Sequence, residues 1–126
     1  MSHISVMKTA FADRALLLEA LRALGYSDIR EGDDLTVSDG VKSRKVDLLI
    51  DVPYSEPIGI RRGKNGWQLT ADWFRVNLNK KKFTDSLKQQ YAYLSVKQSL
   101  LEQGYTITEE TRDEGQRIHL LLRKVA

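Results

Sequence analysis

A helical run from Phe83 to Gln103 constrains this chain more than any other stretch, because it stops sharply at Gly104-Tyr105. Thr84 or Asp85 is expected to cap its first turn, since a side-chain oxygen there accepts from otherwise unpaired amides. At 100° per residue the apolar positions fall into two stripes. The first stripe predicts packing against a sheet, and its members are Leu87, Tyr91, Leu94 and Leu101.

The second stripe lies on nearly the opposite side of the helix, and its members are Ala92, Tyr93, Val96 and Leu100. Apolar residues at helical spacing are typical of a core, so one interpretation is that a connecting segment covers this side. The other interpretation is an exposed docking face, because contiguous apolar surface marks partner sites. The sequence leaves both open.

The Gly-Tyr ending occurs twice, in LRALGY at Tyr26 and in SLLEQGY at Tyr105. Glycine there is typical of a Schellman-type helix end, because it adopts a left-handed backbone without steric cost. A short extended segment, a polar turn and a strand follow each ending. These two helix-strand-strand units form a weak internal repeat and predict an α+β fold, an antiparallel sheet with two helices packed on it.

Alternating apolar residues supply the other strands. Residues 3–10 are expected to form the first strand, Asp13 to cap the first helix, and GKNG to form a hairpin tip. Residues 32–43 are rich in turn formers and predict a surface excursion with a tight turn at Asp39-Gly40. Residues 44–52 predict a central strand whose inward side chains are Val46, Leu48, Ile50 and Val52.

Length and composition favour one globular domain over residues 1–126, with 41% hydrophobic and 29% charged side chains. The lack of cysteine excludes disulfides, thiolate metal ligands and cysteine nucleophiles. No apolar stretch approaches the roughly 20 residues that span a bilayer, and the N-terminal residues lack the pattern of a secretory signal. We therefore expect a soluble, cytoplasmic protein without a membrane partner.

Catalytic and metal-binding patterns are not evident. His3 and His119 are isolated, and the string GIRRGKNG lacks the spacing and the hydroxyl residue of a phosphate-binding loop. Three carboxylates on alternating strands are expected to face solvent, namely Asp47, Asp51 and Asp72. We therefore expect no enzyme activity, no cofactor and no metal.

Positive charge is concentrated in residues 57–99, which carry nine basic and two acidic side chains. Such a segment attracts phosphates or acidic proteins, although a merely solvated basic face has the same composition. Aromatic residues are interleaved with the charges, as stacking on single-stranded nucleic acid requires; they are Tyr54, Trp67, Trp73 and Phe74. The basic residues singled out are Arg61, Arg62, Lys64, Lys80, Lys81 and Lys82.

Several stretches resemble one known family, the hypothetical chloroplast reading frame thirty-five family of plastids, cyanobacteria and other bacteria. They are MSHISVMKT, NGWQLTADW, QQYAY, LLEQGYTITEE and EGQRIHLLLR, and together they span nearly the whole chain. The resemblance implies no established activity, cofactor or catalytic residue. Members are often encoded near AAA-type ATPases, which implies an accessory role with such an ATPase as a protein partner.

Three functional hypotheses remain. The first is a non-enzymatic adaptor that binds a protein through the second stripe of the long helix, at Tyr93, Val96 and Leu100, through the basic residues, or through both. The second is a sequence-tolerant binder of single-stranded RNA or DNA that uses residues 57–99. The third is an enzyme with an unrecognised site.

Overall fold

The computed structural model describes residues 2–115 and 117–124. Its helices are α1 (Arg14–Ala23) and α2 (Lys80–Glu102), and a short 3-10 turn covers Trp73–Arg75. Its strands are β1 (Ser5–Lys8), β2 (Ile29–Ser38), β3 (Ser43–Ile50), β4 (Ile58–Gly63), β5 (Gly66–Ala71), β6 (Tyr105–Arg112) and β7 (Ile118–Lys124).

Five strands form one antiparallel sheet in the order β1-β5-β4-β3-β2, and β6 and β7 form a separate two-stranded sheet. The α+β prediction is confirmed, and so is the order of the two units, α1-β2-β3 and α2-β6-β7. The expectation of a single sheet is wrong. Alternation shows which side chains of a strand turn inward, but it does not show which sheet edge the strand joins.

Both helices end beside the glycines of the Gly-Tyr pairs, as predicted. At the end of α1 the Tyr26 amide donates to the Leu21 carbonyl (2.9 Å) and the Gly25 amide donates to that of Arg22 (3.0 Å), which is a complete Schellman motif. The φ angles of Gly25 and Gly104 are 96° and 88°, in the left-handed region. The predicted cap of α1 is also confirmed, because the Asp13 carboxylate accepts from the Leu16 amide at 3.1 Å.

The start of α2 was predicted wrongly. Asn79 is the N-cap and accepts from the Lys82 amide at 3.0 Å, so the three lysines form the first turn of the helix. Thr84 instead donates its hydroxyl to the Lys81 carbonyl. Lysine is disfavoured at the positive end of a helix dipole, and the sequence rule therefore placed the start too late.

The main core lies between the helices and one face of the five-stranded sheet. Its fully buried members include Leu17 and Leu21 of α1 and Leu87 of α2, packed with strand residues Leu48, Ile50, Ile58, Ile60 and Leu69. A smaller cluster of Val37, Val46 and Leu49 lies on the opposite face. Val46 was expected to share a face with Leu48, which is wrong. The register of β2 against β3 shifts between Glu31 and Leu35, opposite the stretch from Val46 to Leu48, so the pairing is irregular where the prediction assumed strict alternation.

Residues 32–38 were expected to be a surface excursion, whereas they continue β2 to Ser38. The tight turn at Asp39-Gly40 is confirmed. The Asp39 carboxylate accepts from the amides of Val41 (2.8 Å) and Lys42 (2.7 Å). These backbone donors lower the pKa of Asp39, because they stabilise its ionised form.

Candidate protein-binding surface

The C-terminal part of the molecule is only partly covered. In α2 the buried side chains are Phe83, Thr84 and Leu87, all within its first eight residues. Beyond Leu87, no described residue as far as Lys124 is buried. Apolar side chains in this part therefore remain open to solvent, and Leu101 of the predicted inner stripe is 52% exposed.

A groove of about 540 Å³ runs between the start of α1 and the distal half of α2. Its apolar lining comes from Ala15 and Leu16 on one side and from Leu94 and Leu101 on the other. Its polar lining consists of Asp13, Glu19, Lys97, Gln98 and Glu102. A lining that combines apolar and charged side chains is suited to an amphipathic segment.

Tyr91 holds the two walls of this groove together. Its hydroxyl oxygen accepts from the amides of Ala12 (3.2 Å) and Asp13 (3.0 Å), which precede α1. Its ring packs on Phe11 with centroids 4.5 Å apart. These contacts connect α2 to the residues that precede α1 and fix the spacing of the two helices, so the groove is pre-formed.

The β6-β7 hairpin packs beside α2 through β6. The Tyr93 hydroxyl donates to the Glu110 carboxylate at 2.6 Å, which connects the helix to the hairpin. Burial and the neighbouring Glu110 charge raise the pKa of Tyr93 to about 12, because both disfavour the phenolate. Tyr93 thus contacts another part of the same chain.

The predicted partner-binding stripe is divided by this arrangement. Tyr93 turns toward β6, Leu100 is half-buried, and Val96 is 51% exposed. Val96 and Leu101 are almost equally exposed, but only Leu101 lines the groove. Sequence spacing missed the groove because it placed Leu94 and Leu101 in the interior, whereas α2 extends past its buried part.

The predicted basic residues fall into two places. Arg61, Arg62 and Lys64 belong to the β4-β5 hairpin tip, where the Arg62 guanidinium lies 5.8 Å from the centre of the buried Trp67 ring. Lys80, Lys81 and Lys82 start α2, which follows the opposite end of β5. The six residues of β5 span about 17 Å, so the two groups are well separated.

Two aromatic side chains are exposed near the second basic group. Tyr54 is fully exposed and has a φ of 55°, and Phe74 is 89% exposed. Their two loops are joined, because the Asn77 amide donates to the Ser55 hydroxyl (2.7 Å) and the Arg75 guanidinium pairs with the Glu56 carboxylate (3.1 Å). These rings are available for contact with a ligand.

The acidic residues do not form one site. Asp51 pairs with the Arg30 guanidinium at 2.7 Å, and Asp47 accepts from the Arg62 amide at 2.8 Å. Asp72 is buried, contrary to expectation, and neither of its carboxylate oxygens has a hydrogen-bond partner among the described residues.

His119 lies on the hairpin, 3.0 Å from the Asp113 carboxylate, and this hydrogen bond lowers the pKa of Asp113. In the described part of the chain, no three metal-ligating side chains gather in one place. Nor does any helix of that part have the length and apolar character to cross a membrane.

The fold defines an α+β protein whose second, two-stranded sheet stands apart from the five-stranded one. The chain belongs to the family described as "Protein of unknown function (DUF1257)", whose model matches residues 20–121. It is 28% identical over 126 residues to "Uncharacterized protein ycf35" of Pyropia yezoensis, which covers 98% of both chains. It is 26% identical to the protein of that description from Cyanophora paradoxa, again over 98% of both chains. No solved structure matches.

Proposed function

We propose that this protein is a small non-enzymatic adaptor that binds another protein in the groove between α1 and α2. The observation that carries the proposal is the half-covered apolar lining at Leu16, Leu94 and Leu101 on walls that Tyr91 holds in place. Apolar surface that the chain leaves uncovered is typical of partner sites. The volume of about 540 Å³ accepts several large side chains.

The polar walls indicate the chemistry of the partner. The groove is lined by three acidic residues, Asp13, Glu19 and Glu102, and by one basic residue, Lys97. A complementary segment is an amphipathic helix with apolar residues at positions i, i+3 or i+4 and i+7, flanked by lysine or arginine. An AAA-type ATPase, the partner that the family resemblance implies, qualifies if it carries such a segment.

Affinity capture from native extract tests this proposal with two matched variants, Leu101→Glu and Val96→Glu. Both replace a side chain that is about half exposed on α2, so both proteins should keep the wild-type circular dichroism spectrum and urea midpoint. We expect Leu101→Glu to lose a stoichiometric partner that the wild type and Val96→Glu retain. Raising the salt concentration should weaken capture only partly, because salt screens the charge contacts to the groove carboxylates but not the apolar contacts.

The opposite pattern, loss by Val96→Glu alone, would keep the adaptor function and move its site to Tyr93, Val96 and Leu100. The proposal would be overturned if both variants retained every protein that the wild type captures in stoichiometric amount. It would also be overturned if the wild type captured no such protein.

A second candidate function rests on the exposed rings of Tyr54 and Phe74, beside Arg75. Exposed aromatic rings near cationic side chains are the means by which single-stranded RNA or DNA is bound without sequence preference. The separation of the two basic groups argues against one continuous phosphate track. Fluorescence anisotropy with labelled oligo(dT) and oligo(U) at low salt provides the test.

If the protein binds nucleic acid, its affinity for the oligonucleotides should fall steeply as salt is raised. The double variant Tyr54→Ala, Phe74→Ala should also bind them more weakly than the wild type. Two charge variants locate the phosphate contacts, one replacing Arg61, Arg62 and Lys64 with serine and the other replacing Lys80, Lys81 and Lys82. No binding by the wild type at low salt would exclude this function.

A further inference from the structure

We propose that β7 pairs antiparallel with β7 of a second copy of this chain, giving a two-fold dimer with a four-stranded sheet. This contact is separate from the groove between α1 and α2 and goes beyond the adaptor function. The internal repeat indicates where it forms. In the first unit β3 pairs with β2 on one edge and β4 on the other, whereas β7, its counterpart, pairs among the described strands only with β6.

The hairpin is supported by a helix on one strand only. Two-stranded sheets are marginally stable in water and need a third strand or packing against a helix. Here α2 lies against β6 rather than β7. Ile118 and Leu120 are therefore only half-buried and Leu122 is 37% exposed.

The free edge of β7 is suited to pairing. In β6 the register shifts between Ile107 and Glu109, a bulge of the kind that discourages further pairing along an edge. The β7 strand has no such shift. The Leu121 carbonyl accepts from the Thr108 hydroxyl, so the backbone groups of Leu121 face β6. Those of Leu120 and Leu122 consequently face outward, because successive residues of a strand alternate.

A second copy fits this edge better than a charged strand would. Between Ile118 and Leu122 the only ionisable side chain is His119, which is already bonded to Asp113. If the two-fold axis of the antiparallel pair lies at Leu121, Leu121 faces its own copy and Leu120 faces Leu122. If the axis lies at Leu120, Leu120 faces its own copy. Residues that face each other lie on the same side of a sheet, so these leucines contact each other. Self-pairing of this kind obeys two-fold symmetry and closes after two chains.

The chain also exposes more surface than a compact monomer of its size. It exposes 8359 Å², about 1,500 Å² more than the roughly 6,800 Å² expected for 14.4 kDa. Part of this excess lies on β7, where Leu121 is 56% and Leu122 is 37% exposed.

Sedimentation velocity over a range of concentrations tests the dimer with the full chain and two variants, Leu122→Ala and Leu122→Pro. Both shorten the same side chain, but only proline removes the outward amide and with it two symmetry-related hydrogen bonds. We expect wild type and Leu122→Ala to dimerise and Leu122→Pro to dimerise at least about tenfold more weakly. The groove variant Leu101→Glu should remain dimeric. A wild type that stays monomeric throughout, or equal dimerisation of the two Leu122 variants, would overturn the proposal.

Single cysteines provide a readout that does not depend on proline being tolerated, because the natural chain has none. Leu120→Cys or Leu121→Cys should form a reducible intermolecular disulfide, since residues beside a two-fold axis between paired strands come within bonding distance of their own copies. Thr106→Cys, on β6 and exposed like Leu121, is the control and should not. Failure of both β7 cysteines to cross-link, or equal cross-linking of Thr106→Cys, would contradict the arrangement.

Discussion

Gly59 leaves space for the side chains of Val37 and Val46 on one face of the five-stranded sheet. It pairs with Leu49 and Thr70, and it lies under the small cluster on the face away from the helices. A Cβ there would stand 2.6 Å from a methyl carbon of Val46 and 2.9 Å from one of Val37. Because Gly59 has no side chain, Val37 of β2 and Val46 of β3 can pack directly over its backbone.

Replacing Gly59 with alanine should destabilise the protein by about 1–3 kcal/mol, the cost of overpacking a well-filled site. The urea midpoint is the measurement. Gly32→Ala is the control, because its Cβ would meet nothing closer than Leu35 at 3.8 Å. Equal midpoints for the two variants would show that Val37 and Val46 give way without cost.

Residues whose role depends on their own backbone were predictable from sequence. Gly25, Gly104 and the Asp39-Gly40 turn are examples, because a left-handed φ or a local hydrogen bond needs no distant partner. The roles of Gly59 and of buried Asp72 were not, because each depends on strands that are distant in sequence. The groove was missed for the same reason.

At the level of elements, the Tyr93-Glu110 hydrogen bond connects α2 to the β6-β7 hairpin. The predicted repeat gave the order of these elements correctly. It did not show that the hairpin would form a sheet of its own, since pairing with another edge is set by the rest of the fold.

The raised pKa of Tyr93 predicts a specific dependence of stability on pH. The folded protein keeps the phenol protonated up to about 12, whereas the unfolded chain releases this proton near the ordinary value of 10.0. The contribution is therefore fully present below pH 10 and is lost as pH rises toward 12. The difference in unfolding free energy between wild type and Tyr93→Phe should be constant below pH 10 and change above it.

Glu110→Gln provides the comparison for this titration, because it removes the charge that disfavours the phenolate of Tyr93. Its pH curve should lose part of the wild-type change above pH 10. A Tyr93→Phe curve parallel to that of the wild type up to pH 12 would mean that the bond to Glu110 does not protect the phenol.

At the level of the whole molecule, burial divides the chain into two parts of unequal stability. The five-stranded sheet, α1 and the start of α2 enclose the main core. The rest of α2 with β6 and β7 contains no buried side chain among its described residues. Local opening requires little free energy where few apolar contacts are lost, so the second part should open without the first.

Native-state hydrogen exchange of the monomer, measured at low protein concentration, should reveal this difference. Amides of β3 and β5 that pair within the sheet should exchange only through global unfolding, whereas paired amides of β6 and β7 should exchange at least about tenfold faster through local opening.

Two variants test which part of the chain supports the main core. Leu87→Ala removes a fully buried side chain and should lower the free energy of unfolding by about 2–5 kcal/mol, so it should accelerate exchange in β3 and β5. Leu101→Ala, at a half-exposed position, should leave those strands unchanged. Equal protection of the two sheets would show that the molecule unfolds as one cooperative unit, and the hairpin would then need no partner to be stable.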